Sequence, residues 1–131
     1  STSRRQRQMC IRDSPDTAFV ALIPYSGQVV THFERRRELG LPDTQPLVDD
    51  MAPLSYVRPD CRPMLILSGD REREMLGRYE ENAYFWRMMR VAGHPDVRIC
   101  EFDGFDHGNM PQAGHFVAVR YIREMERRMD R

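Results

Sequence analysis

The sequence predicts an α/β domain built on about three parallel strands with flanking helices. Three observations carry that expectation. Short apolar runs at residues 19–25, 64–68 and 97–102 have the length and composition of buried strands. Amphipathic stretches at residues 73–91 and beyond Pro111 repeat at helical period. Each apolar run is followed at its carboxyl end by a polar loop, holding Ser26-Gly27, Asp70–Glu72 and His107 in turn. Strands joined through helices favour parallel pairing with right-handed crossovers. In such sheets chemistry gathers at the carboxyl ends of the strands.

The elements follow in order. Residues 19–25, Phe-Val-Ala-Leu-Ile-Pro-Tyr, form a continuous apolar run without alternation. That pattern suits a strand buried on both faces. Pro24 should mark its end, because proline cannot donate to a ladder. Residues 28–62 are irregular, with a short helix expected over 32–39 and ended by Gly40. Four prolines interrupt the remainder, and a helical turn is expected near 45–51. A connection of this length in a compact domain acts as a lid or binding loop. The second strand follows Pro63. The helix over 73–91 places Leu76, Tyr79, Ala83 and Trp86 on one face, with Gly93 as its C-terminal stop. Its many aromatics and methionines fit packing on the sheet, with a subunit contact as the alternative. The last helix should bury Ala118, Ile122, Met125 and Met129.

The first fourteen residues stand apart. They are polar, arginine-rich and aperiodic, and Gln8-Met9-Cys10-Ile11-Arg12-Asp13-Ser14 matches the translation of a transposase-end sequencing adapter. On that reading residues 1–14 are a non-native tail on a truncated metagenomic frame, and the domain occupies 15–131. The alternative is a natural disordered tail. On either reading no element of the fold is expected there.

Composition narrows the function classes. The chain has 131 residues, 40% of them apolar, with 20 basic and 20 acidic side chains. A balanced charge argues against a broad nucleic-acid footprint, and the clusters at Arg4–Arg7 and Arg35–Arg37 read as solvated surface. No apolar run has the roughly 18–20 residues needed to span a bilayer, and no secretory leader is visible. Three cysteines, Cys10, Cys61 and Cys100, form no C-x-x-C pair, so neither a disulfide framework nor a zinc knuckle is expected. Cys100 is expected to be buried and inert. A reducing, cytoplasm-like setting is compatible with this usage. No histidine pair has metal-ligand spacing, and no glycine-rich phosphate loop is present, so no metal or cofactor is expected.

The remaining signal is an acid and a histidine on neighbouring strand ends. His107 sits in Gly104-Phe105-Asp106-His107-Gly108, directly after the third strand. Glu72 follows the second, 107 − 72 = 35 residues earlier, which leaves room for one helix and one strand. A catalytic histidine needs a carboxylate to fix its tautomer and stabilise the imidazolium. Glu72 could equally be a charge near a helix N-terminus, and Asp70 a turn residue bonding its own backbone.

From about Pro15 onward the chain resembles the C-terminal half of an α/β-hydrolase of the esterase/lipase branch, which includes carbohydrate esterases and prolyl-oligopeptidase-like enzymes. The resemblance rests on Ala52-Pro53-Leu54-Ser55-Tyr56-Val57, then Arg62 to Asp70, against an apolar strand followed by H-G-x-x-D. It rests also on Gly104 to Gly108 against G-x-x-H-G. Ser68 replaces the usual histidine, and glutamate the usual aspartate. The resemblance implies that Glu72 is the triad acid and His107 the base, in the chain order serine, acid, histidine. No serine lies in a G-x-S-x-G frame, so the nucleophile and oxyanion hole are expected upstream and the chain alone is expected to be inactive. Tyr25, Ser26 and His32 are implied as pocket residues. The implied partner is a small-molecule ester, and oligomerisation stays open. The competing reading is a complete, non-catalytic α/β binding module.

Overall fold

The computed structural model describes residues 19–130, and the adapter-like stretch lies outside them. The elements run α1 (Phe33–Glu38), a 3-10 turn (Pro53–Tyr56), β1 (Met64–Gly69), α2 (Arg78–Val91), β2 (Val97–Phe102) and α3 (Met110–Met129). β1 and β2 pair in parallel, in a register from Met64 opposite Val97 to Gly69 opposite Phe102. Both strands therefore end at one level, and the loops after them leave from the same edge.

Burial follows the period of two that a strand imposes. Met64 and Ile66 face a core shared with Phe85 and Met89 of α2. Leu65 and Leu67 face the opposite core, with Met110, Ala118, Tyr121 and Met125 of α3. All six residues of β1 are buried, so it is the central strand.

The leading run departs from expectation. Leu22 and Tyr25 make isolated parallel bridges to Met64 and Leu67, and no continuous strand forms. Leu22 N donates to Pro63 O at 2.9 Å, Leu65 N to Leu22 O at 2.9 Å, Leu67 N to Pro24 O at 3.0 Å and Ser26 N to Leu67 O at 2.7 Å. The ladder lacks one rung, where residue 24 would donate toward Leu65, because proline carries no N–H. Pro24 thus lies within the ladder rather than at its end. The run is also half-buried rather than enclosed. Leu22 packs toward α2 and Ala21, Ile23 and Tyr25 toward α3, but no described strand covers the outer edge.

The helices shift in register from the sequence expectation. α2 begins at Arg78, after Gly77 at φ 74°, rather than at residue 73. Its buried face is Arg78, Asn82, Phe85 and Met89. Leu76 is 74% exposed, and Trp86 is only half-buried. A hydrophobic count passes over the polar pair on this face, Arg78 and Asn82, which hold carbonyls of the leading run. α3 buries Ala118 and Met125 as expected, but Tyr121 replaces Ile122, and Ile122 and Met129 are exposed. α1 has His32 as its N-cap. No helix forms over residues 45–51; a single turn at Asp50 and Met51, with Ala52 N donating to Asp49 O at 3.1 Å, leads into the 3-10 turn. Cys61 is buried and Cys100 half-buried, and both are free thiols.

Leu67 is fully buried between β1 and α3. Leu67→Ala should cost about 2–5 kcal/mol, read as a lower urea midpoint with an unchanged slope.

Candidate active site

The site begins with a glycine. Gly69 closes β1, and a Cβ built there would lie 2.6 Å from Phe105 O and 2.9 Å from Glu74 Cγ. The chain then turns tightly, with Arg73 N and Glu74 N both donating to Asp70 O, at 2.9 and 2.8 Å. That turn folds the Glu74 side chain back over the end of β1, into the space a side chain at 69 would fill. Gly69 N donates to Glu74 Oε1 at 3.0 Å, and Met75 N donates to Oε2 at 3.1 Å.

The histidine loop comes from β2 and is tied to the same turn. Asp70 N donates to Phe105 O at 2.7 Å. Asp70 Oδ2 accepts from Gly104 N at 2.7 Å, and Oδ1 accepts from Glu72 N at 2.8 Å. Asp70 is thus a staple between two loops, and donation from the Gly104 and Glu72 amides holds its carboxyl below the usual range. Gly104 takes φ 83°, a conformation open to glycine. Asp106 Oδ1 accepts from the Gly108 and Asn109 amides, both at 2.9 Å, and closes the turn that carries His107. Across the strand ends Arg71 grips Glu101, with Nη2 to Oε1 at 2.7 Å and Nε to Oε2 at 3.0 Å.

These loops deliver His107 Nδ1 to 3.1 Å from Glu74 Oε2. The Glu74 side chain is 0% exposed and that of His107 is 46% exposed. Burial raises the Glu74 pKa. Donation from Ser26, Gly69 and Met75, and the neighbouring His107, outweigh it and leave the carboxyl below its ordinary value. A buried carboxylate against one nitrogen of a half-exposed imidazole suits a general base.

Ser26 joins the pair from the leading run. Its Oγ donates to Glu74 Oε1 at 2.5 Å and lies 3.1 Å from His107 Nδ1. Ser26 is 2% exposed and adopts φ 47°. The buried polar face of α2 holds this segment. Arg78 Nη1 donates to Ser26 O at 2.5 Å, Asn82 Nδ2 to Gly27 O at 2.9 Å, and Val29 N to Glu81 Oε1 at 2.6 Å. Burial pushes the Glu81 carboxyl above its usual range.

The structure sorts the sequence candidates unevenly. His107 lies where expected. The carboxylate against it is Glu74, not Glu72, which is exposed and precedes α2. The H-G-x-x-D spacing points to residue 72, but the turn at 70–74 brings round the acid two positions later. The available signal was Gly69, whose missing side chain makes room for a returning carboxylate. Ser26 belongs to the acid–histidine cluster. Tyr25 lies apart, with Oη 3.0 Å from His115 Nδ1. His32 caps α1 by accepting from Glu34 N at 3.2 Å and stacks on Phe33. Among the described residues no group of three or more histidine, cysteine or acidic side chains is placed to hold a metal ion.

No family model and no curated protein matches the chain, but solved structures do. The chain resembles Est2, a thermophilic esterase of the planctomycete Thermogutta terrifontis. Its propionate-bound form aligns with a TM-score of 0.64 at 18% identity, over 95% of this chain and 53% of that one. The forms phosphoramylated by tabun and phosphorylated by paraoxon each give 0.61 at 19% identity over 93% of this chain. The fold is therefore esterase-like, and the chain spans about half the length of that enzyme.

Two outcomes follow from this geometry. Gly69→Ala puts a methyl group against Phe105 O and the Glu74 stem, and should cost about 1–3 kcal/mol while displacing Glu74 from His107, checked by denaturation and a crystal structure of the variant. A carboxylate with a lowered native pKa stabilises the fold above its unfolded value, and that contribution is lost as pH falls through the native one. Glu74→Gln should therefore flatten the loss of stability below about pH 4.5, measured by thermal melts across pH.

Proposed function

We propose that this chain supplies the acid and base of a serine-dependent carboxylic ester hydrolase, with Glu74 and His107 as the pair. The observation that carries this reading is a buried carboxylate, its pKa held below the ordinary value, 3.1 Å from Nδ1 of a half-exposed imidazole. The likeness to Est2, whose structures include propionate-bound and paraoxon-phosphorylated forms, supports an ester substrate. Carboxylic esters and phosphate triesters both present an electrophilic centre to a hydroxyl nucleophile.

The nucleophile would come from outside the described residues. Ser55 Oγ donates to Asp49 O, and Ser68 Oγ to Gly69 O. Neither bonds the imidazole. Ser26 lies on the Nδ1 side and gives its proton to Glu74, so it is not placed for attack. An incoming serine would approach Nε2. His107 would take its proton as the oxygen adds to the ester carbonyl, then return that proton to the departing alcohol. Water would deacylate the enzyme by the same route. Throughout, Glu74 would hold the ring and offset the imidazolium charge. The oxyanion donors would arrive with the nucleophile. Among the described residues no helix is long and apolar enough to cross a membrane, and a small ester reaching an open rim fits this arrangement. Residues 28–51 would shape the pocket wall.

The test uses the full reading frame that encodes this chain. That protein should hydrolyse short aryl esters and react with a fluorophosphonate probe, and His107→Ala should lower kcat/KM by roughly 10⁴-fold or more. The 131-residue chain alone should take no label. Turnover unchanged by His107→Ala would remove this mechanism and leave the non-catalytic binding module.

A further inference from the structure

We propose that Ser26 is a positioning residue: its buried hydroxyl fixes both the Glu74 carboxylate and the tautomer of His107. The inference rests on the acid–base reading above and extends it to a third side chain.

Ser26 Oγ and Glu74 Oε1 are 2.5 Å apart. Two oxygens that close need a proton between them, and an ionised carboxylate has none to give. The serine proton is therefore committed to Glu74. The serine oxygen then has only lone pairs to offer its other neighbour, His107 Nδ1 at 3.1 Å. Glu74 Oε2, also at 3.1 Å from Nδ1, is likewise an acceptor. A ring nitrogen facing two acceptors must carry the hydrogen. In the neutral ring that leaves the lone pair on Nε2, the nitrogen that a base must present to substrate. Without the hydroxyl, Nδ1 would face one acceptor rather than two. Oε1 would keep only the Gly69 amide at 3.0 Å.

The surroundings are built to hold this hydroxyl still. Ser26 N donates to Leu67 O at 2.7 Å, and Ser26 O accepts from buried Arg78 at 2.5 Å. Asn82 grips the next carbonyl. The backbone at φ 47° is one that side-chain-bearing residues rarely adopt. A turn needing only that shape would be served better by glycine. The presence of serine there points to the hydroxyl rather than to the turn.

That contrast supplies the test. Ser26→Gly removes the hydroxyl and relieves the backbone, whereas Ser26→Ala removes it and keeps the strain. Both should be made in the full-length protein, beside His107→Ala. With the hydroxyl as positioning group, Ser26→Gly should stay folded with the wild-type KM, melting a few degrees lower because the buried Glu74 carboxylate loses one donor. Its kcat should fall roughly tenfold to a hundredfold, the worth of one hydrogen bond to a charged group. Ser26→Ala should lose at least as much. In the chain itself, the downfield proton NMR signal of His107 Nδ1–H should move or broaden in Ser26→Gly. A kcat within twofold of wild type in Ser26→Gly, or an unmoved Nδ1–H signal, overturns the proposal. If His107→Ala retains turnover, the acid–base reading fails instead, whatever the serine variants do.

Discussion

The Glu74 carboxylate lies folded back over the last residue of β1, shut off from water and met by two backbone amides and a serine hydroxyl. Burying a charge is costly unless it is fully hydrogen-bonded. The donors around Glu74 come from separate parts of the chain: the end of β1, the following turn, and the leading run. Each must be in place for the ion to be tolerated. The ion in turn holds those parts, and the histidine loop, in one arrangement.

That constraint explains features that look unrelated along the chain. Gly69 must lack a side chain because Phe105 O and the Glu74 stem occupy its space. Asp70 is spent on stapling the turn to Gly104 and is not available to the histidine. α2 carries Arg78 and Asn82 on its buried face because the carbonyls of Ser26 and Gly27 need donors there. The flush ends of β1 and β2 set the spacing of the two loops, since Gly69 and Phe102 are register partners.

Much of the scaffold was legible in the sequence. Residues 64–68 and 97–102 declared themselves as strands by apolar runs with punctuated ends, and parallel pairing followed from the helix between them. His107 was legible because glycines flank it just beyond a strand. The carboxylate that meets His107 was not, because a pattern of fixed spacing selects residue 72 and cannot see the turn that brings round residue 74. The buried face of α2 escapes a hydrophobic count, which assigns arginine and asparagine to solvent. The apolar composition of the leading run suggests enclosure on both faces. Composition does not reveal that Pro24 interrupts its ladder or that its outer edge has no described partner. Ser26 was picked out as a pocket residue, while its bond to an acid 48 positions away was beyond any local pattern.

The most direct test sets the two nearby acids against each other. In the protein that the reading frame of this chain encodes, Glu72→Gln and Glu74→Gln are compared for aryl-ester turnover at neutral pH. Glu74→Gln should lower kcat by roughly 10³–10⁴-fold, as loss of the acid partner of a catalytic histidine does, while Glu72→Gln stays within a few-fold of wild type. Wild-type turnover in Glu74→Gln, or a large loss confined to Glu72→Gln, would contradict it.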